Sequence, residues 1–312
     1  MISRKTLLVA ASALLLTANA ARADLKVVTS IKPVHSLVSA VMEGVGTPDL
    51  IVTGAGSPHN HALKPSQASL LANAGLVFWV GREMEAFLEK PVATIGEKAK
   101  SIELFYTPGL RKLEQREGGA FQAHDHKEKS GHNHDHDHEE HDLHFWLDPE
   151  NAKLMTVLIA DTLTAADPGN ADQYQTNSMA MLDRLDTLLR ETSMELAPVK
   201  NGRFIVFHDA YQYFETRFGL SAAGSITVNP EVMPGAERVR EIRQKLKKNN
   251  VQCVFSEPQF APKLIEVVTE GTATKPGVLD PLGATLEDGP DLYFTLIRNM
   301  AQSFRQCLSK SS

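Results

Sequence analysis

Residues 168–199, PGNADQYQTNSMAMLDRLDTLLRETSMELAPV, form the stretch on which the fold turns. Its apolar side chains Tyr174, Met181, Leu182, Leu185, Leu188, Leu189 and Leu196 recur at spacings of three, four and seven, the period of a single apolar stripe on an α-helix. Pro168 and Gly169 punctuate its start and Pro198 its end. A helix of about 28 residues would be about 42 Å long, more than most globular helices need. Short apolar runs alternate with helical patterns on both sides of it. The stretch therefore reads as a rigid spine joining two lobes.

Before the spine, Lys26–Ile31, Leu50–Thr53, Leu76–Val80 and Ile102–Phe105 read as buried strands, with helical segments such as Val34–Met42 and Ser66–Asn73 between them. After it come Phe204–Phe207, Ile226–Val228, Val251–Phe255 and Val278–Leu279, again alternating with helices, and a last helix from Pro290 to near Cys307. This alternation predicts an α/β fold of two lobes, each a mainly parallel sheet flanked by helices. The expected organisation is an N-terminal lobe over 24–167, the linking helix over 168–199 and a C-terminal lobe over 200–312.

The first residues read as an address. Arg4 and Lys5 precede the apolar run Leu7–Leu16, and small residues lead to Ala21-Arg22-Ala23. That order is a secretory signal peptide over 1–23, cleaved before Asp24. A membrane span needs about 20 apolar residues, and Asn19 and Arg22 interrupt too early for one. Export with cleavage removes three bases and no acid, so a net charge of −6 over 312 residues becomes −9. The acidity argues against nucleic acid as a partner, and the 42% hydrophobic content argues against a disordered chain. The two cysteines are too few for a disulfide scaffold or a Cys₄ zinc domain. In an oxidising compartment Cys253 and Cys307 are expected to pair, which would contribute about 4 kcal/mol by loop closure.

Residues 114–143 differ in kind. They hold seven of the twelve histidines (His124, His126, His132, His134, His136, His138 and His141), nine acids and three bases, with few apolar residues. Such a segment cannot bury enough surface to fold alone and reads as a mobile loop in the first lobe, its histidines able to bind a metal ion weakly.

The other histidines fall where sites form. His59 and His61 follow a strand in Gly56-Ser57-Pro58-His59-Asn60-His61, and ligand sites of parallel sheets lie at strand ends. His144 stands where the polar loop meets the apolar Phe145-Trp146-Leu147. His208 ends the strand Phe204–Phe207, and Asp280 follows Val278-Leu279. His35, in a helical pattern, reads as structural. Imidazoles from both lobes with an oxygen donor suit tetrahedral Zn²⁺ better than calcium or magnesium, which want more oxygens, or manganese, which wants more carboxylates, and leave copper and nickel open.

Four segments carry a resemblance: Ser57-Pro58-His59-Asn60-His61-Ala62-Leu63-Lys64-Pro65-Ser66, His144-Phe145-Trp146-Leu147-Asp148-Pro149-Glu150-Asn151, His208-Asp209-Ala210-Tyr211-Gln212-Tyr213-Phe214 and Leu279-Asp280-Pro281-Leu282-Gly283. In that order they resemble the motifs of the zinc-specific substrate-binding proteins of bacterial ABC importers, and the likeness spans nearly the whole mature chain. It implies a monomeric, non-enzymatic protein that captures Zn²⁺ in the periplasm and delivers it to a permease with a separate ATPase subunit. It also implies His59, His144 and His208 as ligands, with Asp280 or a water completing the shell. Pro58 stands where some zinc-type relatives have an acid. His61 stands where relatives often have tyrosine, so it is expected to line the site or help recruit metal. Two other readings compete. The series His59-x-His61, His144, His208, Asp280 is similar to that of amidohydrolase barrels, a zinc-dependent hydrolase. A stand-alone zinc buffer or adhesin would need no transporter.

Overall fold

The computed structural model describes residues 25–116, 121, 141–227, 230–231, 234–260 and 263–309. The expected signal peptide and the loop histidines His124, His126, His132, His134, His136 and His138 lie outside the described residues. Four parallel strands, β1 (Val27–Thr29), β2 (Asp49–Leu50), β3 (Leu76–Trp79) and β4 (Lys100–Glu103), form the first sheet in the order β2-β1-β3-β4. A short antiparallel ribbon, β5 (Leu113–Glu114) and β6 (His141–Asp142), brackets the histidine-rich insertion. The second parallel sheet has β7 (Phe204–His208), β8 (Ala222–Thr227), β9 (Cys253–Ser256) and β10 (Lys275–Val278) in the order β10-β9-β7-β8. The central strands, Leu76-Val77-Phe78-Trp79 and Phe204-Ile205-Val206-Phe207-His208, are buried along their whole length. That follows from helices covering both faces of a parallel sheet.

Nine α-helices complete the described elements: α1 (Lys32–Val41), α2 (Pro65–Asn73), α3 (Ala86–Thr94), α4 (Pro149–Ala166), α5 (Ala171–Leu196), α6 (Gln212–Phe218), α7 (Ala236–Lys248), α8 (Lys263–Thr269) and α9 (Leu292–Leu308). The predicted spine is α5, 26 residues and about 39 Å long. It buries Tyr174, Ser178, Met181, Leu185, Leu188, Thr192 and Leu196, one residue per turn, while Leu182 and Leu189 are half-buried. It is no free rod, because it packs between α4 and α9. One apolar core runs from Val28 of β1 through Val34, Ile159 and Leu185 to Phe304 of α9 and Phe255 of β9. A smaller cluster, including Ile205, Phe207, Ile242 and Val268, covers the other face of the second sheet beneath α7 and α8.

The two sheets are separate and open, which removes the eight-stranded barrel on which the hydrolase reading depended. Polar contacts pin the lobes together where they meet. Trp146 Nε1 donates to the carbonyl of Pro281 at 2.9 Å, and Tyr293 Oη donates to the carbonyl of Trp146 at 2.7 Å. The Lys32 ammonium donates to the carbonyl of Leu286 at 2.6 Å and pairs with Asp288 at 3.1 Å. Along α5, Arg184, Glu191 and Glu195 pair with Asp291, Arg298 and Arg305 at and along α9. The Cys253–Cys307 disulfide ties β9 to α9 across 54 residues of sequence. Among the described residues no helix is long and apolar enough to cross a membrane.

Candidate metal centre

Each of the three imidazoles is delivered by a different local device. His59 sits in the turn between β2 and α2, where Pro58 is buried and Ser57 Oγ accepts the backbone N–H of His59 at 3.3 Å. His144 leads directly into a 3-10 turn, Phe145–Leu147, whose three apolar side chains are all buried. That turn feeds α4, which Asp148 caps by accepting the N–H of Glu150, with Pro149 in the first turn where its missing N–H costs nothing. Arg217 of the second lobe donates to both oxygens of Asp148, at 2.6 and 2.8 Å, and so fixes this corner. His208 is the last residue of the buried strand β7.

These three side chains converge. Their donor atoms all lie within 4.8 Å of one another, the only such group of His, Cys, Asp or Glu donors among the described residues. The Nε2 atoms of His144 and His208 are 3.3 Å apart. Two nitrogens each about 2.05 Å from a tetrahedral zinc are about 3.3 Å apart, so the pair already has the spacing of a coordination edge. The His59 ring lies 5.7 Å, centroid to centroid, from each of the other two.

Two buried carboxylates hold the ring orientations. Asp142 Oδ1 accepts from the backbone N–H of His144 at 3.0 Å and lies 2.8 Å from its Nδ1. Glu257 Oε1 lies 2.7 Å from Nδ1 of His208. With Nδ1 engaged, each ring turns Nε2 toward the shared centre. Burial, reinforced by the neighbouring His208, holds the His144 pKa well below its ordinary value. Burial also opposes charge on His208, yet the adjacent Glu257 outweighs it and raises that pKa. Burial pushes the Asp142 carboxyl up to about 7, against the N–H of His144 and the charge of Arg116. His59 is an exposed residue, but withdrawal of its ring from water beside two other imidazoles lowers its pKa.

Neither Asp142 nor Glu257 stood out as a site residue in the sequence. Asp142 was one acid among nine in the insertion. Glu257 did carry a usable signal, since it follows strand β9 just as His208 ends β7 and Asp280 follows β10.

Asp280 is not among the donors that lie within 4.8 Å of one another. Its Oδ1 accepts from the backbone N–H groups of Leu282 and Gly283 and from Gln259 Nε2, and its Oδ2 accepts from the N–H of Ala284. Four donors hold it as the organiser of the turn after β10. His61 is turned the other way, with Nε2 3.1 Å from Gln67 Oε1 and its ring against Phe87. His141, the one described histidine of the insertion, packs against Phe105 in the ribbon.

A cavity of about 430 Å³ adjoins the three imidazoles and is also lined by Glu83, Arg116, Asp142, Asp209 and Glu231. Its wall carries the base of the insertion. Arg116 pairs with Asp209 and Glu215, and Tyr213 Oη accepts from the N–H of Leu113 while donating to the carbonyl of Asp142.

Two parallel-sheet lobes joined by a long packed helix, with imidazole donors gathered between them, define a two-lobed metal-binding solute-binding protein. The chain belongs to the ZnuA family, the periplasmic component A of zinc-uptake complexes, whose profile matches residues 27–307. It is similar to the high-affinity zinc uptake system protein ZnuA of Brucella suis, at 55% identity over 306 residues, 91% of this chain and 92% of that protein. Its counterpart in Yersinia pestis is 39% identical over 306 residues, covering 96% of each chain. A crystal structure of ZnuA superposes with a TM-score of 0.76 at 25% identity, over 92% of this chain and all of the other.

Proposed function

We propose that this protein captures Zn²⁺ in the periplasm through His59, His144 and His208 and hands it to a membrane permease driven by a separate ATPase subunit. The observation that carries the reading is the convergence of three imidazole donors from two lobes within 4.8 Å. Two of them share a spacing that matches a tetrahedral zinc edge. Water supplies the fourth position in this reading, because the Asp280 carboxylate is already committed to four donors. The cargo must leave again, and a site completed by solvent leaves an open coordination position for exchange. The family supports uptake rather than catalysis, storage or adhesion.

The mature chain, freed of residues 1–23, acts as a monomer without nucleic acid. The histidines of the insertion recruit zinc weakly, and His61 serves packing on the first lobe. Competition against a chromophoric chelator tests the centre. One tight zinc per chain is expected, lost on replacing His208 by alanine, and an unchanged affinity in that variant would remove the proposed site.

A further inference from the structure

Three neutral imidazoles bring no charge to a dication. Zinc held by them alone would leave two positive charges in a largely buried site, and burying uncompensated charge is costly. The structure places two carboxylates one residue further out, and one belongs to each lobe. Asp142 stands behind His144 and Glu257 behind His208, at 2.8 and 2.7 Å from the respective Nδ1 atoms. Both are almost fully buried, with side chains 4% and 1% exposed. In Asp142 the second oxygen, Oδ2, is buried with no hydrogen-bond partner among the described residues, while Glu257 is faced by the Tyr211 hydroxyl as well as by its histidine. A buried carboxylate oxygen without a donor is unfavourable, so it marks a place where positive charge is expected. The ring of His59 has no such partner among the described residues.

We infer that Asp142 and Glu257 are positioning residues that set both the strength and the charge selectivity of metal capture. Each accepts Nδ1–H from its histidine, which leaves the Nε2 lone pair free for the metal. Together they supply two negative charges to match a divalent ion. A monovalent ion leaves the centre net negative and a trivalent one leaves it net positive. The three imidazoles supply the coordination, and the two carboxylates tune the centre to a charge of two. The inference rests on the three-imidazole reading of the site.

The test uses the full mature chain with Glu257→Gln and Asp142→Asn, isosteres that keep an oxygen for Nδ1–H but remove the charge. Zinc affinity is expected to fall about 10- to 100-fold in each. Because the lost interaction scales with the charge of the bound ion, the affinity for Ag⁺ should fall by only about the square root of that factor. A merely structural role would weaken both ions alike, and equal losses would overturn the inference, as would parental zinc affinity in both variants. A second measurement needs no variant. Nitrogen-15 resonances of the zinc-loaded parent should show His144 and His208 protonated at Nδ1 and metal-bound at Nε2, and the reverse tautomer would overturn it. Failure of the underlying site has a different signature, since His208→Ala would then keep its zinc.

Discussion

His144 and His208 face each other across the lobe interface with their Nε2 atoms 3.3 Å apart, each ring held from behind by its own carboxylate. In the proposed centre these two donors are held from behind by carboxylates, whereas the His59 ring, also within 4.8 Å, has no carboxylate behind it. Preorganised donors avoid an ordering cost at the moment of binding. Alanine at His144 or His208 removes a donor and leaves a buried carboxylate without its partner. Each should reduce zinc affinity by more than the roughly 10- to 100-fold typical of losing an outer partner. His59→Ala removes a donor alone, so its loss should be smaller than that of the other two. Chelator competition on the three variants measures that order.

The lobes and the spine were legible because hydrophobic period is a strong signal over long segments. The 3, 4, 7 spacing from Tyr174 to Leu196 became α5, and Leu76–Val80 became β3 with one residue fewer. Edges were less legible. The predicted strand Ile102–Phe105 is β4 at Lys100–Glu103, and Leu104–Tyr106 turns into a 3-10 helix. The predicted Val278–Leu279 is the end of β10, which starts at Lys275 and contains Pro276. Proline is tolerated there because β10 is an edge strand. Gly277 lies against the Phe255 ring, where a Cβ would come within 2.6 Å, so packing rather than propensity selects it. At the site, histidines are rare enough to be seen singly, whereas carboxylates are common. Asp142 and Glu257 acquire meaning only through what they touch, and no motif announces the three backbone N–H groups and the Gln259 amide that gather on Asp280.

Zinc capture near neutral pH should release protons. A histidine must be neutral to bind metal. The metal-free His208 has a raised pKa, so it keeps its proton to a higher pH than a free imidazole, and zinc must displace that proton. Asp142, pushed up to about 7, gives up a second share as the dication approaches. The sign is therefore fixed: affinity rises as pH climbs through the raised His208 pKa and falls on acidification. Calorimetry at pH 6.5 in buffers of different ionisation enthalpy should return about 1–2 protons per zinc. A buffer-independent heat would contradict it.

The Cys253–Cys307 bond joins the second sheet to the helix that packs on the spine, with Cys253 level with Phe204 at the start of β7 and His208 at the other end of that strand. Closing 54 residues should stabilise the fold by about 4 kcal/mol. Replacing both cysteines by serine should lower the free energy of unfolding in urea by about that amount. Zinc affinity of the folded fraction should stay at the parental value, because neither sulfur touches a residue that holds a donor.

Lobe motion on binding should be small. The apolar core is continuous from β1 to α9, and the Trp146–Pro281, Tyr293–Trp146 and Lys32–Leu286 bonds cross between the lobes close to it. A wide hinge opening would have to break all of these together. Small-angle scattering should find metal-free and zinc-loaded radii of gyration within about 1 Å. Adding Tyr293→Phe deletes one bond of the chain through Trp146, at about 1 kcal/mol, and should raise the rate of zinc release by loosening the corner that carries His144.

The histidine-rich insertion can be removed without cutting the ribbon that orients His144, at the cost of Phe121, whose ring lies under Arg116 on the cavity wall. Its base is the β5–β6 ribbon, where Glu114 pairs with His141 and where Arg116 and Tyr213 attach the ribbon to the second lobe. Asp142, which orients His144, follows immediately on the β6 side. Cutting into that ribbon would disturb His144, so the informative deletion spans residues 118–140 and keeps Arg116 and His141. It takes away His124, His126, His132, His134, His136 and His138. In the proposed reading these six imidazoles, set among carboxylates in the sequence, bind zinc weakly and raise its local concentration. Calorimetry on the deletion should lose the weak zinc events and retain one tight site of parental affinity. Stopped-flow capture at submicromolar zinc should become slower, while the dissociation rate stays the same. An unchanged capture rate would reduce the insertion to a solvated segment that binds metal incidentally.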